Sequence, residues 1–288
     1  MGGRDKPGHD VWYCAEMTDD HDAILLVGAG RMGGALLKGW IASGRFAIRV
    51  IEPAPSPALR ELAASGSIAL STDLAHADLD GLTAAVLAIK PQVLKTQVTM
   101  LQHLGATRAI VVSIAAGITM AFLRSALGPS GDIVRAMPNL PGAIGRGVIA
   151  LHAPAGTAAD DRALAESLMA PLGETFWVAD EALIDSVTAT SGSGPAYVFY
   201  LAECLAAAAV EQGLAPDVAA RIARATITGA GALLDADPRP PADLRNDVAS
   251  PGGTTEAALK ILMAPDGLES LIKRAVAAAA ARARELGK

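Results

Sequence analysis

Ala23-Ile24-Leu25-Leu26-Val27-Gly28-Ala29-Gly30-Arg31-Met32-Gly33-Gly34 is a short apolar strand running into G-x-G-x-x-G, and the helical pattern Ala35-Leu36-Leu37-Lys38-Gly39-Trp40-Ile41 follows at once. Each glycine has its own task. Gly28 makes the tight turn, Gly30 lets the backbone reach a pyrophosphate, and Gly33 lets the helix close on the strand. A lone G-x-G-x-x-G is a weak signal, but here strand and helix stand on the correct sides of it. A second strand, Ala47-Ile48-Arg49-Val50-Ile51, comes next and ends at Glu52. An acid about 20 residues past the glycines is where a dinucleotide fold places its acceptor for a ribose hydroxyl.

Glu52 also bears on which dinucleotide is expected. A carboxylate accepts a bond from a free 2′-hydroxyl and repels a 2′-phosphate, which leans toward NAD. Arg31, Arg49 and Arg60 are cations that would offset the repulsion. A solvated acid at a strand end is the alternative reading of Glu52.

Outward from this unit, the first half of the chain alternates strand and helix patterns. A helical stretch over 59–64 is followed by the apolar run Ala84-Ala85-Val86-Leu87-Ala88-Ile89, by a helix over 93–104, and by Ala109-Ile110-Val111-Val112-Ser113-Ile114. Unbroken apolar runs of that length fit strands buried on both faces. Further strands are predicted over 133–137, 147–152 and 174–178. The alternation implies a parallel sheet wrapped by helices, with ligands outside the carboxyl ends of its strands. Three strand ends carry small or turn-forming residues: Ala88-Ile89-Lys90-Pro91, Ile114-Ala115-Ala116-Gly117 and Met137-Pro138-Asn139. Small residues permit close approach of a flat cofactor. Lys90 either contacts phosphate or ribose or is a solvated lysine before a proline-started helix. Asn139 either bonds a carboxamide or closes a turn.

After Asp180 helical patterns take over, at 183–191, 195–212, 216–234 and 267–286, rich in alanine. Small residues on helix faces permit close packing. An apolar face left over on one chain leads to an expected homodimer, with an ordinary monomeric helical domain as the alternative. The expected organisation is thus a floppy tail over 1–20, a Rossmann-type domain over 21–180 and an all-helical domain over 181–288. Ser191-Gly192-Ser193-Gly194-Pro195 is a strong break signal between two helical runs.

A second motif lies near the C-terminal end: Val248-Ala249-Ser250-Pro251-Gly252-Gly253-Thr254-Thr255-Glu256, before the helical pattern Ala257-Ala258-Leu259-Lys260-Ile261-Leu262. Two glycines let the backbone turn its N–H groups toward one point, and a helix start adds unsatisfied N–H groups and its positive dipole end. A carboxylate could dock there. The plainer reading is an N-capped helix start.

Composition sets the outer limits. In 288 residues, hydrophobic types make up 51% and aromatics only 3%, so the interior is built from Ala, Leu, Val and Ile. A formal net charge of −6 with no basic run argues against nucleic acid as a partner. Cys14 and Cys204 show neither a disulfide framework nor metal spacing, and His9, His21, His76, His103 and His152 are scattered singly. Residues 1–20 lack the apolar core of a signal peptide, and Met17 is an alternative start. No apolar run is expected to reach the length of a bilayer, because Glu203 interrupts the best candidate. A soluble, cytoplasmic protein without membrane or metal partners is expected.

Taken in order, the glycine fingerprint, Ala88-Ile89-Lys90-Pro91-Gln92, Met137-Pro138-Asn139-Leu140-Pro141, Ser191-Gly192-Ser193-Gly194-Pro195-Ala196-Tyr197 and Ser250-Pro251-Gly252-Gly253-Thr254-Thr255 resemble the pyrroline-5-carboxylate reductases from about residue 22 to the C-terminus. The last two motifs are specific, whereas the first is shared by all dinucleotide folds. The resemblance implies reduction of 1-pyrroline-5-carboxylate to L-proline by NADPH or NADH. It also implies a Rossmann domain followed by a helical dimerisation domain, with dimers assembling further into a decamer. Carried onto this chain, the substrate carboxylate would bind the backbone of the loop formed by Ser250, Gly252, Gly253 and Thr254, and Thr255 would hydrogen-bond the ring nitrogen. Cofactor contacts would fall on Gly28, Ala29, Gly30, Arg31, Met32 and Gly33, on Ala88, Ile89, Lys90 and Pro91, and on Ile114, Ala115 and Ala116.

Two positions depart from the family pattern. Arg31 stands where members often carry Asn or Gln, and Glu52 where many carry a small or phosphate-tolerant residue, which touches cofactor preference and not the reaction. The competing readings are a hydroxyacid dehydrogenase or other imine reductase, a dinucleotide sensor, and a structural helical oligomer. The hydroxyacid enzyme would need a catalytic lysine on the helix over 195–212, which has none.

Overall fold

A computed structural model of the chain describes residues 22–73, 78–129 and 132–287. The tail expected over 1–20, the alternative start Met17, Cys14, His9, His21 and His76 lie outside the described residues. The described residues divide into two compact units, 22–192 with 283–287, and Ser193–Arg282. This division falls after Gly192, past the boundary expected at 180.

The first unit runs β1 (Asp22–Val27), α1 (Arg31–Ser43), β2 (Phe46–Ile51), α2 (Pro57–Ala64), β3 (Ala69–Ser71), β4 (Ala84–Leu87), α3 (Pro91–Leu94), α4 (Val98–Gly105), β5 (Ile110–Ser113), α5 (Met120–Leu127), β6 (Ile133–Met137), β7 (Gly147–His152), α6 (Ala159–Met169), β8 (Gly173–Trp177) and α7 (Ala182–Val187). Among the described residues these strands form one sheet in the order β3-β2-β1-β4-β5-β6-β7-β8. The chain leaves β1 in one direction for β2 and β3, then returns to build β4, β5 and β6 on its other side. In a sheet of this kind ligands bind at the switch point, here between β1 and β4. β4 and β5 are buried along their whole length, and β1 along Ile24 to Val27, as their unbroken apolar runs require.

Trp40 anchors α1. It is 1% exposed, lies in the same apolar cluster as Leu36, Val86 and Leu168, and its Nε1–H donates to the Leu168 carbonyl at 2.8 Å. The end of α1 is set by Gly44 in the left-handed region, φ +62°, with its N–H donating to the Ile41 carbonyl. α2 and α5 begin on side-chain caps, Ser56 accepting from the Leu59 N–H and Thr119 from the Phe122 N–H.

The structure corrects four expectations. The sheet is not wholly parallel, because β7 pairs antiparallel with β6. The connection over 138–146 is too short for a crossover of a dozen or more residues. The single helix expected over 93–104 is two, α3 and α4, because Gln97 leaves the helical region at φ −97°, ψ +39°. The break expected at Ser191 to Pro195 is instead a π-helical turn, Thr188–Gly192, leading almost directly into the next helix. That continuity makes Ala182–Glu211 long and apolar enough, by length and composition alone, to cross a membrane, against the expectation that Glu203 would prevent it. β3, α5 and α6, together with the helix Pro241–Val248 of the second unit, are not anticipated by the sequence reading.

The second unit is helical: α8 (Gly194–Glu211), α9 (Pro216–Ala236), α10 (Pro241–Val248), α11 (Thr254–Leu262) and most of α12 (Leu268–Leu286), whose end from Ala283 belongs to the first unit. α8, α10 and α11 bury no residue fully, and α9 buries only Ala219 and Ala223. Phe199, Tyr200, Leu233, Ile261 and Leu262 are exposed. An apolar surface this extensive marks an interaction face.

Substituting Trp40→Phe is expected to destabilise the first unit by about 2–3 kcal/mol, through the orphaned Leu168 carbonyl and the space left behind. Comparative thermal and urea unfolding checks this.

Candidate active site

The register of the sheet brings the strand-end motifs of the first unit together. Val27 is paired with Ile51 on one side and with Leu87 on the other, and Leu87 is paired with Ser113. The residues that follow, Gly28 to Gly33, Glu52, Ala88 to Pro91 and Ile114 to Ala116, therefore leave one edge of the sheet side by side. Gly28 has φ +93°, and its N–H donates to the Ile51 carbonyl at 2.8 Å. Ala88 N–H donates to the Val27 carbonyl at 2.8 Å and Ile114 N–H to the Leu87 carbonyl at 3.1 Å, so each loop leaves its strand on a ladder bond.

The three glycines fit a dinucleotide as their spacing predicts. A Cβ on Gly28 would lie 2.6 Å from Ile89 Cγ2, and one on Gly33 would lie 2.1 Å from the Gly28 carbonyl oxygen. Gly30 is the converse, since a Cβ there would meet nothing within 4 Å. That open side of the backbone faces no protein atom, as a pyrophosphate approach requires. Gly30 is the N-cap of α1, no side chain caps it, and no acid occupies the first turn, so the N–H groups of Arg31, Met32 and Gly33 and the helix dipole are offered to an anion.

The other expected residues fall as follows. Arg31 is exposed in the first turn of α1, and Met32 is half-buried and packs against the core. Ile89 is half-buried against Gly28, while Lys90 is exposed as the N-cap residue of α3, with Pro91 at its first position. Ala115 is buried and Ala116 exposed. Glu52 turns back on the glycine loop, accepting the Ala29 N–H at 2.9 Å and the Ala54 N–H at 3.1 Å. Asn139 is engaged on both ends of its amide. Its Oδ1 accepts the Val148 N–H at 3.1 Å and its Nδ2 donates to Ser191 Oγ at 3.0 Å. The structure thus joins two motifs that the sequence offers separately, and a Cβ on Gly192 would meet Met137 Cε at 2.8 Å.

In the second unit, Ser250 to Gly253 form a turn before α11. Gly252 has φ +72°, in the left-handed region, and the Gly253 N–H donates to the Ser250 carbonyl at 3.0 Å. Gly253 is the N-cap of α11 without a side-chain cap, so the sequence alternative of a Ser- or Thr-capped start does not hold. Thr254 is exposed and Thr255 half-buried in the first turn. Sequence reasoning passes over Glu256. Its carboxylate accepts the Gly252 N–H at 2.5 Å and pairs with Lys260 at 3.0 Å. The backbone N–H of Gly252 and then the Lys260 ammonium hold its carboxyl below the ordinary carboxylate value. The signal that would find it is its place three residues after the N-cap, the acid position of a capping box.

A family model described as pyrroline-5-carboxylate reductase dimerisation matches residues 181–286, and one described as NADP oxidoreductase coenzyme F420-dependent matches residues 23–117. A pyrroline-5-carboxylate reductase of Pseudomonas aeruginosa is 37% identical over 92% of this chain and 97% of its own. The chain belongs to the pyrroline-5-carboxylate reductase family. A pyrroline-5-carboxylate reductase of Pisum sativum is 34% identical over 94% of this chain and 98% of its own. The solved pyrroline-5-carboxylate reductase of Coxiella burnetii superposes with a TM-score of 0.83 at 34% identity, covering 92% of this chain and 98% of that one. The expected fold class, an N-terminal Rossmann-type domain with a helical C-terminal dimerisation domain, holds. The apolar surface of α8, α9 and α11 falls within the matched dimerisation segment, which accounts for a membrane-length helical run in a reductase fold.

Gly33→Ala is expected to weaken binding of reduced dinucleotide by roughly ten- to a hundredfold, because a Cβ against the Gly28 carbonyl displaces α1 from the loop. Fluorescence titration with NADH, beside a thermal melt to confirm folding, checks this.

Proposed function

We propose that this chain reduces 1-pyrroline-5-carboxylate to L-proline with NAD(P)H as an oxidoreductase acting on CH-NH donors. The observation that carries the reading is the pairing of two glycine-led, uncapped helix starts in one chain of this family. α1 follows the nucleotide fingerprint, and α11 follows Ser250-Pro251-Gly252-Gly253. The first suits the pyrophosphate and the second a small carboxylate.

When bound, NAD(P)H supplies the hydride that adds to the imine carbon of the protonated ring, yielding L-proline and NAD(P)+. The protein's own part is to hold and to orient. The backbone N–H groups of Gly252, Gly253 and Thr254, with Ser250 beside them, take the substrate carboxylate. Thr255 Oγ1 accepts from the ring N–H and so favours the protonated, electrophilic imine. A cyclic imine enters already protonated from water, so Thr255 orients the nitrogen and need not act as a strong acid. Ala88 to Pro91 and Ile114 to Ala116 line the side of the loop where the dinucleotide lies. Asn139, whose amide is spent on Val148 and Ser191, serves as a positioning residue and not as a direct cofactor contact.

Glu256 must yield the Gly252 N–H before a substrate carboxylate takes it. The assembly proposed is a homodimer through the second unit, with dimers combining into a decamer as the motif resemblance implies. A cytoplasmic location is proposed, on the sequence reading that residues 1–20 lack the apolar core of a signal peptide.

The decisive experiment follows oxidation of NADH and NADPH with 1-pyrroline-5-carboxylate, a cofactor-only control and the six-membered analogue. Substrate-dependent oxidation is expected, and its absence in protein that binds dinucleotide would favour the sensor reading. Thr255→Ala is expected to lower kcat by roughly ten- to a thousandfold while dinucleotide Kd changes little. Equal losses of both would remove Thr255 from the chemistry. Glu256→Ala is expected to lower the KM for the substrate by roughly two- to fivefold, since it removes a competing carboxylate and a like charge.

A further inference from the structure

The reductase reading leaves open which reduced nucleotide is used, and the surroundings of Glu52 decide between them. β2 is parallel and in register with β1, which sets Glu52 beside Gly28. Its main chain is held there, the Glu52 N–H donating to the Ser71 carbonyl at 3.0 Å at the end of β3. Its carboxylate is held too. Oε2 accepts from Ala29, inside the glycine turn, and Oε1 accepts from Ala54. Each oxygen keeps a lone pair after that bond, so the group remains an acceptor for the two hydroxyls of an unmodified adenosine ribose.

Two of the cations nearby in sequence already carry contacts to other groups. The Arg49 guanidinium donates to the Asp78 and Asp80 carbonyls at 3.2 and 2.8 Å and lies 3.3 Å from the Asp78 carboxylate. Arg60 Nε donates to the Pro55 carbonyl at 3.3 Å. Residues 53–55, Pro-Ala-Pro, carry neither a cation nor a hydroxyl, and Ser56 Oγ is the cap of α2. Arg31 stands exposed in the first turn of α1, whose N–H groups serve the pyrophosphate that both nucleotides share.

On these contacts, resting on the reductase reading for the identity of the reaction, we infer that Glu52 selects NADH over NADPH. A 2′-phosphate carries nearly two negative charges at neutral pH. It would meet a carboxylate that cannot turn aside without surrendering the Ala29 N–H, and Pro53-Ala54-Pro55 after it offers no cation and no hydroxyl. Glu52 is thus a specificity-determining residue that is also part of the glycine turn.

The test is equilibrium binding of NADH and of NADPH to the full chain without substrate, followed by kcat/KM for each with 1-pyrroline-5-carboxylate. NADH is expected to bind at least about tenfold tighter than NADPH. Glu52→Gln removes the charge while keeping an acceptor for Ala29, so it is expected to tighten NADPH about tenfold and to weaken NADH by less than that. Arg31→Ala is expected to weaken both nucleotides equally. Equal affinity for the two nucleotides in the unaltered chain, an unchanged ratio in Glu52→Gln, or a loss of both nucleotides together in that variant would each overturn the inference. A clear NADH preference in a protein that does not turn over 1-pyrroline-5-carboxylate would sink the reductase reading and leave the role of Glu52 standing.

Discussion

The nucleotide end of the first unit depends on one contact between two stretches of backbone. α1 comes down on the loop after β1 so closely that a Cβ on Gly33 would sit 2.1 Å from the Gly28 carbonyl oxygen. Only hydrogen on that α-carbon allows the approach. The same tight seat recurs along the helix, where a Cβ on Gly39 would lie 2.2 Å from Pro171 Cβ. Seated at both points, α1 puts Trp40 into the core and its donor onto Leu168, and sets its uncapped N-terminus at the switch point of the sheet. The direction of the anion-binding dipole therefore follows from helix packing and not from any charged side chain.

What the sequence discloses divides along the same physical lines. The buried strands are legible because a parallel strand covered on both faces admits only apolar residues, and Ala84 to Leu87 and Ile110 to Ser113 show it. The glycine loop is legible because each glycine answers a separate steric demand. The reversal of β7 is not, since Gly147 to His152 is as apolar as a parallel strand would be, and direction depends on the length of the connection before it. The partnership of Asn139 with Ser191 spans 52 residues, and no local pattern announces it. Glu256 is passed over for another reason: on a helix it reads as one half of an ordinary pair with Lys260, and only the turn geometry shows the carboxylate also reaching Gly252. Gly-Ser-Gly-Pro misleads because proline is welcome in the first turn of a helix, where its missing N–H is not needed.

The second unit poses the opposite problem to the first. Its helices are regular, yet α8 and α11 bury nothing fully, and side chains such as Tyr200 and Ile261 stand in solvent. Covering each such side chain stabilises by about 1.5–3 kcal/mol, so a surface holding many of them has a strong tendency to close on another like itself. Small residues suit that closure. Alanine along α8 and α9 keeps the faces shallow, so helices of two chains can approach as helices within one chain do. A membrane-length helical run is then the by-product of a helix apolar all round, a property that a deeply buried interface also demands.

The protein carries a formal charge of −6 and yet must take up two anions, a dinucleotide and a small carboxylate. Long-range repulsion works against both, so the binding must be local, and the device proposed at both loops is a glycine-led helix start with no side-chain cap. Each device also has a carboxylate of the protein close by, and the two act in opposite ways. Glu52 accepts from Ala29 while leaving lone pairs for neutral hydroxyls, so in the inferred role it would bind a ribose without moving. Glu256 accepts from Gly252, a donor that the substrate carboxylate would need in the proposed role of this loop, so there its grip would be given up on binding. Its carboxyl lies below the ordinary value because that N–H and Lys260 favour the charged form. The contact is accordingly complete above the ordinary carboxylate range and is lost as pH falls through the lowered value. At neutral pH Glu256 is therefore charged, and in the proposed role of this loop a substrate carboxylate would displace it as an internal competitor.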